Sequence, residues 1–162
     1  MRADWSQQRC SMARGIDAIG DPWVLLILRE SLSGVRRFDD LREKLGIADN
    51  ILADRLKRMV QAGLLAKQPY QDGRRTRHAY HPTEAARDAL PVLHAFSVWS
   101  TKHAPTANGV EQHVVIVCRS CGAESATGES CSSCGERLTT ATTAWVKPSS
   151  PDRVPVPLAA DD

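Results

Sequence analysis

Apolar positions recur with the period of a helix in the first part of the chain. Residues 23–34 are apolar nearly all round in their first half, which indicates a buried helix, and Gly34 is a natural end. Just before them, Asp21 can cap free amides and Pro22 suits the first helical position, where its missing N–H costs nothing. Residues 12–20 form a shorter candidate. The pattern therefore predicts two helices before residue 35.

Two further helical patterns follow at residues 36–46 and 49–63, and each carries one apolar stripe and ends at a glycine. The stripe residues are Phe38, Leu41 and Leu45 in the first helix, and Leu52, Leu56, Met59 and Val60 in the second. Two amphipathic helices joined by a tight turn predict a helix-turn-helix. An ordinary αα-hairpin of a helical bundle has the same pattern.

Residues 64–82 alternate in polarity on both sides of Asp72-Gly73, a dipeptide typical of a tight hairpin turn. Pro69 restricts the first segment to an edge strand, because proline cannot donate to a strand ladder. Three arginines crowd the turn: Arg74, Arg75 and Arg77. A basic hairpin directly after a helix-turn-helix predicts a wing that straddles a phosphate backbone. A solvated charged loop would not need that position.

Residues 83–104 form a longer helical pattern, with a bend or break expected at Pro91. Its apolar residues include Leu93, Phe96 and Trp99, and so much apolar surface on a terminal helix needs a partner. A second subunit is the obvious one, so we expect a homodimer with these three residues in its interface. Residues 147–162 hold four prolines and no periodicity, which predicts disorder.

Length and composition suit one domain with an appendage, since 42% of the 162 residues are apolar. The longest apolar run is far shorter than the roughly 20 residues that span a bilayer. No export signal is recognisable, so we expect a cytoplasmic protein with no membrane partner. Residues 29–81 hold twelve Lys/Arg and seven Asp/Glu, a balance of +5 that suggests a polyanion-binding surface. Scattered solubilising charge could give the same balance.

Four of the five cysteines form two Cys-x-x-Cys-Gly units, nine residues apart: Cys118, Cys121, Cys131 and Cys134. In a reducing compartment, paired cysteines are more often metal ligands than disulfides. Four thiolates suit tetrahedral Zn²⁺ and the flanks are strand-like, so the pattern predicts one structural Zn²⁺ per chain in a zinc ribbon. The alternatives are a rubredoxin-like iron site that carries electrons, and a disulfide or redox pair. His113 could replace one ligand.

The predicted ribbon is acidic, with four basic and seven acidic residues in 104–162, a balance of −3. Four thiolates add four negative charges and Zn²⁺ returns two, which leaves −5. A segment with this much negative charge should not lie along phosphates. We expect it to contact protein or to cap the dimer. Its few apolar residues predict that the metal supplies its folding energy. A chain ending at Ala107 is then expected to dimerise and bind DNA by itself.

The order of these motifs resembles the HxlR-type winged helix-turn-helix transcription regulators of bacteria. Three segments within residues 10–103 carry the resemblance: CSMARGIDAIGDPWVLLILRESLSGVRRFDDL, GIADNILADRLKRMVQAGLL and PVLHAFSVWSTKH. The resemblance implies a homodimer that reads DNA with the second helix of the helix-turn-helix and lays its wing along the backbone. Members often have a capping serine where Ala48 stands here, and Asp49 could cap instead.

The polar face of the second helix should meet DNA. Asn50 is the best base reader, since its amide matches N6 and N7 of adenine. Asp54 could accept from a cytosine amine or orient Arg58 from one turn away. Basic residues should contact phosphates, although Arg36 and Arg37 could equally be solvated surface. The DNA-binding candidates are Asn50, Ala53, Asp54, Arg55, Lys57, Arg58, Arg74, Arg75, Arg77, Arg36 and Arg37.

The fifth cysteine, Cys10, stands alone near the N-terminus. In some relatives a cysteine near this place senses oxidants or electrophiles, and its reactivity depends on a lowered pKa, to which Arg9 and Arg14 could contribute. The alternative is a small, partly buried apolar residue.

The sequence therefore predicts a mainly α winged helix-turn-helix with a small β wing and a small C-terminal β zinc ribbon. The predicted domains are 1–107 for DNA binding and dimerisation, 108–146 for the ribbon, and a disordered tail at 147–162. No catalytic pair stands out, so the predicted function is a transcription regulator that binds a pseudo-palindromic operator in double-stranded DNA. The alternatives are a protein-interaction module whose ribbon docks a partner, and a regulator with a small-molecule or redox effector acting through Cys10.

Overall fold

The computed structural model describes residues 5–104, 113–148 and 152–158. Its contacts divide the chain into an N-terminal unit, Met1–Ser31 with Val35–Ala86, and a C-terminal unit, Leu32–Gly34 with Arg87–Asp162. Helices with small antiparallel sheets confirm the predicted fold class. No helix in the described segments is long and apolar enough to cross a membrane. The predicted boundary between residues 107 and 108 lies outside the described residues.

Four helices begin the chain, and all four agree with the apolar period of the sequence. They are α1 (Ser11–Ile19), α2 (Pro22–Leu32), α3 (Phe38–Leu45) and α4 (Asp49–Gln61). Asp21 caps α2 as expected, because its Oδ1 accepts hydrogen bonds from the amides of Trp23 at 2.9 Å and Val24 at 3.3 Å.

The helix-turn-helix consists of α3 and α4, and the residues of its stripes that are fully buried are Leu41, Leu52, Leu56 and Met59. Gly46 ends α3 with φ of 60°, a left-handed conformation that glycine adopts without strain. Ala48 is the N-cap of α4 and makes no side-chain capping bond. The expectation that Asp49 caps this helix is wrong, because Asp49 is already its first residue, where its charge favours the helix N-terminus.

The wing is an antiparallel hairpin of β1 (Leu65–Asp72) and β2 (Arg75–Pro82). Asp72 pairs with Arg75, which leaves a two-residue loop whose Gly73 takes φ of 61°, as a type II′ turn requires at its first position. Arg37 bridges Ala79 on the other side of β2. β2 therefore lies between two partners, and β1, which contains Pro69, is at the edge as predicted.

Two helices share the next predicted helical segment: α5 (Glu84–Asp88) and α6 (Leu90–His103). Pro91 takes one of the first two positions of α6, where its missing N–H would have had no helical partner. The break expected at Pro91 is thereby confirmed.

The ribbon is a four-stranded antiparallel sheet with the order β4-β3-β5-β6. Its strands are β3 (Val115–Cys118), β4 (Glu124–Ser125), β5 (Thr143–Val146) and β6 (Val156–Pro157). The described part of the tail differs from the expectation of disorder, since Val156 pairs with Trp145 and Leu158 is buried. Proline is tolerated there because β6 is an edge strand.

The ribbon and α6 share one hydrophobic core. Its buried residues are Leu32, Leu90, Ile116, Cys118, Cys131, Leu138, Trp145 and Leu158, and Leu93 and Val114 pack against it. Leu93 therefore lies against the ribbon core, which corrects its assignment to the face that meets a second subunit. A chain ending at Ala107 would leave Leu90 and Leu93 without this cover, so the structure does not support the expected independence of the first 107 residues.

Candidate nucleic-acid interface and metal centre

The polar face of α4 is the first candidate surface for DNA. Asn50, Ala53, Asp54 and Lys57 are exposed there, and Arg58 is half-buried at its edge. Asn50 is the second residue of the helix, and the first turn of a recognition helix is the part that meets base edges. The structure thus gathers these predicted candidates on one surface.

Arg55 has a structural role that sequence reasoning missed. Its Nε donates to Oδ2 of Asp21 at 3.0 Å, and its Nη1 donates to Oδ2 of Asp54 at 2.5 Å. Burial raises the pKa of Asp21, but the Arg55 guanidinium and two backbone amides outweigh burial and hold that pKa below its usual value. Asp21 therefore links the cap of α2 to α4. Asp54 pairs with Arg55, which corrects the expectation that it orients Arg58.

The wing arginines divide into two groups. Arg74 and Arg75 are exposed at the hairpin tip. Arg77 donates from Nη1 to Oδ2 of Asp39 at 2.5 Å, and its Nε lies 2.8 Å from Oδ2 of Asp72. The hydrogen bond to Asp39 and the charges of both carboxylates raise the pKa of Arg77. Arg77 thus ties the wing to α3, and the two tip arginines are the better candidates for phosphate contact.

Arg36 and Arg37 lie in the segment that leads into α3. The Arg36 guanidinium donates to the backbone carbonyl of Ser31, near the end of α2. The Arg37 guanidinium carbon lies 4.8 Å from the centre of the Tyr70 ring, a cation–π contact with the wing. Arg36 is therefore a positioning residue, whereas Arg37 is exposed and remains a candidate for phosphate.

The second candidate site is the predicted cysteine cluster. The sulfurs of Cys118, Cys121, Cys131 and Cys134 all lie within 4.8 Å of one another. The Cys118–Cys134 sulfurs are 3.8 Å apart and the Cys121–Cys131 sulfurs 3.7 Å apart. Four sulfurs placed about 2.3 Å from a tetrahedral Zn²⁺ lie about 3.8 Å from one another. The spacing therefore fits a zinc tetrathiolate, and all four cysteines are free of disulfides.

The two Cys-x-x-Cys-Gly units fold into the same turn. The amide of Gly122 donates to the carbonyl of Cys118 at 2.8 Å, and that of Gly135 donates to Cys131 at 2.9 Å. The glycines have φ of 76° and 78°, so each turn requires a residue that tolerates the left-handed conformation. Equivalent backbones thus aim both pairs of sulfurs at one point.

Neighbouring thiols perturb one another at this centre. The backbone amides of Cys134 and Ser133 lower the pKa of the Cys131 thiol to about 6. The Glu136 amide lowers the pKa of Cys134, but the thiols around it and burial outweigh that amide and raise the value to about 12. Adjacent thiolates repel, so ionisation of all four requires a cation among them.

Comparison with known proteins identifies the framework that carries these sites. The model of the HxlR-like helix-turn-helix family matches residues 18–108. The chain belongs to this family. It is 35% identical over 129 residues to Rv3095 of Mycobacterium tuberculosis, an uncharacterized HTH-type transcriptional regulator, with 80% of each chain covered.

Among the solved structures that resemble this HxlR-like chain are PA1607 and PA1374. PA1607, described as a candidate transcription factor, is 32% identical with a TM-score of 0.67, and the match covers 82% of this chain and 91% of PA1607. PA1374 from Pseudomonas aeruginosa is 39% identical with a TM-score of 0.51, over 71% and 76% of the two chains. The protein is therefore a helix-turn-helix transcriptional regulator. The match with Rv3095 covers 129 of the 162 residues, so it must extend at least to residue 129. The similarity to Rv3095 therefore extends into the ribbon.

A buried histidine joins the ribbon of this HxlR-like regulator to α6. Trp145 Nε1 donates to Nε2 of His94 at 2.9 Å, and Nδ1 of His94 lies 2.7 Å from the carbonyl oxygen of Gly128. Because Nε2 accepts, Nδ1 carries the proton and donates to Gly128, so the ring is neutral. A Cβ at Gly128 would lie 2.5 Å from the Cβ of His94, so only glycine fits there. A single histidine in an apolar helix gives no signal in the sequence, and this contact was missed.

Cys10 lies outside both surfaces. It is exposed and precedes the first residue of α1. The Arg14 guanidinium donates hydrogen bonds to the backbone carbonyls of Gln8 at 2.6 Å and Arg9 at 2.9 Å. These two bonds stabilise the turn of the chain before α1.

Acid should weaken the contact between the ribbon and α6 through His94. Burial lowers the pKa of His94 below its ordinary value of 6.5, against the opposing effect of the Gly128 bond. The stabilisation is therefore complete above about pH 6.5 and is lost as the pH falls below that value, since the unfolded state then binds the proton more readily. Thermal unfolding followed by tryptophan fluorescence at a series of pH values would measure it.

A His94→Leu variant should be less stable at neutral pH by about 1–3 kcal/mol, because the Trp145 donor and the Gly128 carbonyl lose their partner. Its stability should also depend less on pH than that of the wild type. His78→Gln in the wing is the control and should keep the wild-type dependence. Identical pH profiles for His94→Leu and the wild type would contradict the assignment.

Proposed function

We propose that this regulator binds a pseudo-palindromic DNA operator as a homodimer and carries a structural Zn²⁺ in its ribbon. The proposal of DNA binding rests on the exposed face of α4, which has Asn50 in its first turn. The wing tip of the same chain presents Arg74 and Arg75. Asn50 would read a base edge, while Lys57, Arg58, Arg37 and the tip arginines would hold phosphates.

Base reading and phosphate binding should separate in two variants. Asn50→Ala should lose about 1–3 kcal/mol on the operator alone, the worth of one good base contact. Arg75→Ala should weaken operator and random DNA alike and reduce the salt slope by about 1. Both variants are titrated with random DNA and with an operator selected from fragmented genomic DNA, at several salt concentrations. An operator-selective defect in Arg75→Ala would reverse the two assignments.

An exposed, largely apolar stripe on α6, on a different face from Leu90 and Leu93, supports the homodimer. Val92, Phe96, Trp99 and His103 are all exposed, and the Trp99 and His103 rings lie 5.3 Å apart between centroids. Their spacing of four, three and four residues is the spacing that pairs two helices. Closed pairs related by a two-fold axis are the commonest oligomers, and a two-fold protein would match an operator whose half-sites are about one turn apart.

Charge on this stripe should separate the subunits. In Phe96→Glu the carboxylate would be exposed in the monomer but buried and unpaired in the dimer, so the variant should fold and remain monomeric. Val98→Glu is a matched control, because Val98 is exposed on α6 outside the stripe and its variant should dimerise. Light scattering at micromolar concentration gives the masses. A monomeric wild type, or two variants of equal mass, would rule out this interface.

The donor set and the sulfur spacing support Zn²⁺ at the four-cysteine centre. Metal analysis of the purified protein should find one zinc per chain, and Cys121→Ser should reduce that content strongly. Cys10→Ser should retain it, since Cys10 is not among the four clustered cysteines. Visible absorption would reveal iron in place of zinc and would support the electron-carrier alternative.

A further inference from the structure

Helix α6 has two different stripes, and each combines apolar side chains with one or two polar ones. One consists of Leu90, Leu93, His94 and Ser97, which pack on or bond to the ribbon. The other consists of Val92, Phe96, Trp99 and His103, which are exposed. At about 100° per residue, the centres of the two stripes are about 140° apart around the helix. A helix that is apolar on two sides requires two partners, and the ribbon supplies only the first.

The principal contacts on the ribbon side lie next to the four cysteines. Cys118 and Cys131 belong to the same buried cluster as Leu90. Gly128, which accepts from His94, lies in the loop between the two cysteine pairs. Trp145, which donates to His94, pairs through β5 with Ile116, two residues before Cys118. The cysteine centre therefore lies next to both groups that bond to His94, and two of its cysteines belong to the cluster that covers Leu90.

The ribbon needs that centre for its own stability. Its core consists of a few short strands, and two of the four clustered cysteines, Cys118 and Cys131, are themselves buried in that core. In small domains of this kind the free energy of metal binding is free energy of folding. Loss of the metal would release Gly128 and Trp145 and uncover Leu90 and Leu93, so that α6 would lose the packing that fixes its position.

We propose that metal binding at the four cysteines and pairing of two chains through the second stripe of α6 are thermodynamically coupled. The coupling rests on the proposed zinc site and the proposed dimer interface. The ribbon is then a device that makes dimer formation, and with it operator affinity, respond to the metal. Linkage requires reciprocity, and each dimer holds two metal ions. The factor by which the metal tightens the dimer is therefore the square of the factor by which each site binds metal more tightly in the dimer than in the monomer.

The forward direction is tested on the full chain under reducing conditions. The dimer dissociation constant is measured by sedimentation equilibrium for the zinc-loaded protein and after removal of zinc with EDTA. We expect the metal-free protein to dimerise about tenfold more weakly or worse, a factor typical of coupling between sites. His94→Leu, which keeps all four cysteines, should retain one zinc and still weaken the dimer. Equal dissociation constants with and without zinc would overturn the coupling.

The reverse direction does not require a stable metal-free protein. Zn²⁺ affinity is measured by competition with a chromophoric chelator in wild type, Phe96→Glu and Val98→Glu, at a protein concentration where the wild type is dimeric. The monomeric Phe96→Glu should bind Zn²⁺ about threefold more weakly than the other two, or worse, since a tenfold change in the dimer constant is shared between two metal sites. Equal affinities in all three would overturn the coupling while leaving the zinc site and the dimer in place. A wild type without zinc, or one that is monomeric, would instead refute the proposed function on which the coupling rests.

Discussion

The core shared by α6 and the ribbon is the constraint on which the C-terminal half of the chain depends. Neither part can bury its apolar residues alone, because Leu90 and Leu93 come from the helix while Ile116, Leu138 and Trp145 come from the ribbon. His94, on the helix, adds two hydrogen bonds to the ribbon, one to Gly128 and one from Trp145. The four-cysteine ribbon is therefore a part of the helix's packing and not an appendage to a finished domain.

In the N-terminal half, carboxylates decide which arginines are available to DNA. Asp21 and Asp54 hold Arg55, while Asp39 and Asp72 hold Arg77. These pairs fix α4 and the wing in relation to α2 and α3. The count of twelve Lys/Arg in residues 29–81 thus overstates the number of basic side chains that are available to phosphate. The free charge is concentrated at the wing tip and on the exposed face of α4.

The sequence was sufficient for the elements but not for the partners of their side chains. Four local signals each predicted a helix or a turn correctly. They are the apolar period, Asp21-Pro22, Pro91 and Asp72-Gly73. The cysteine spacing likewise predicted the cluster, because both units carry their own turn. The pairing of Arg55 with Asp21 spans 34 residues, and that of His94 with Trp145 spans 51. No local pattern encodes contacts so distant, which is why Leu93 was assigned to the wrong surroundings.

Gly128 has a consequence for how such regulators can be told apart. Its missing side chain is what lets the loop between the cysteine pairs approach His94, since an added Cβ would lie 2.5 Å from that histidine's own. Another chain whose ribbon docks on this helix in the same way needs the equivalents of Gly128, His94 and Trp145. These three residues must be retained together or replaced together. A glycine three residues before the third cysteine, found with a histidine near the start of the last helix, therefore forms a sequence signature. It would separate HxlR-like proteins whose ribbon braces the helix from those in which four cysteines merely follow it.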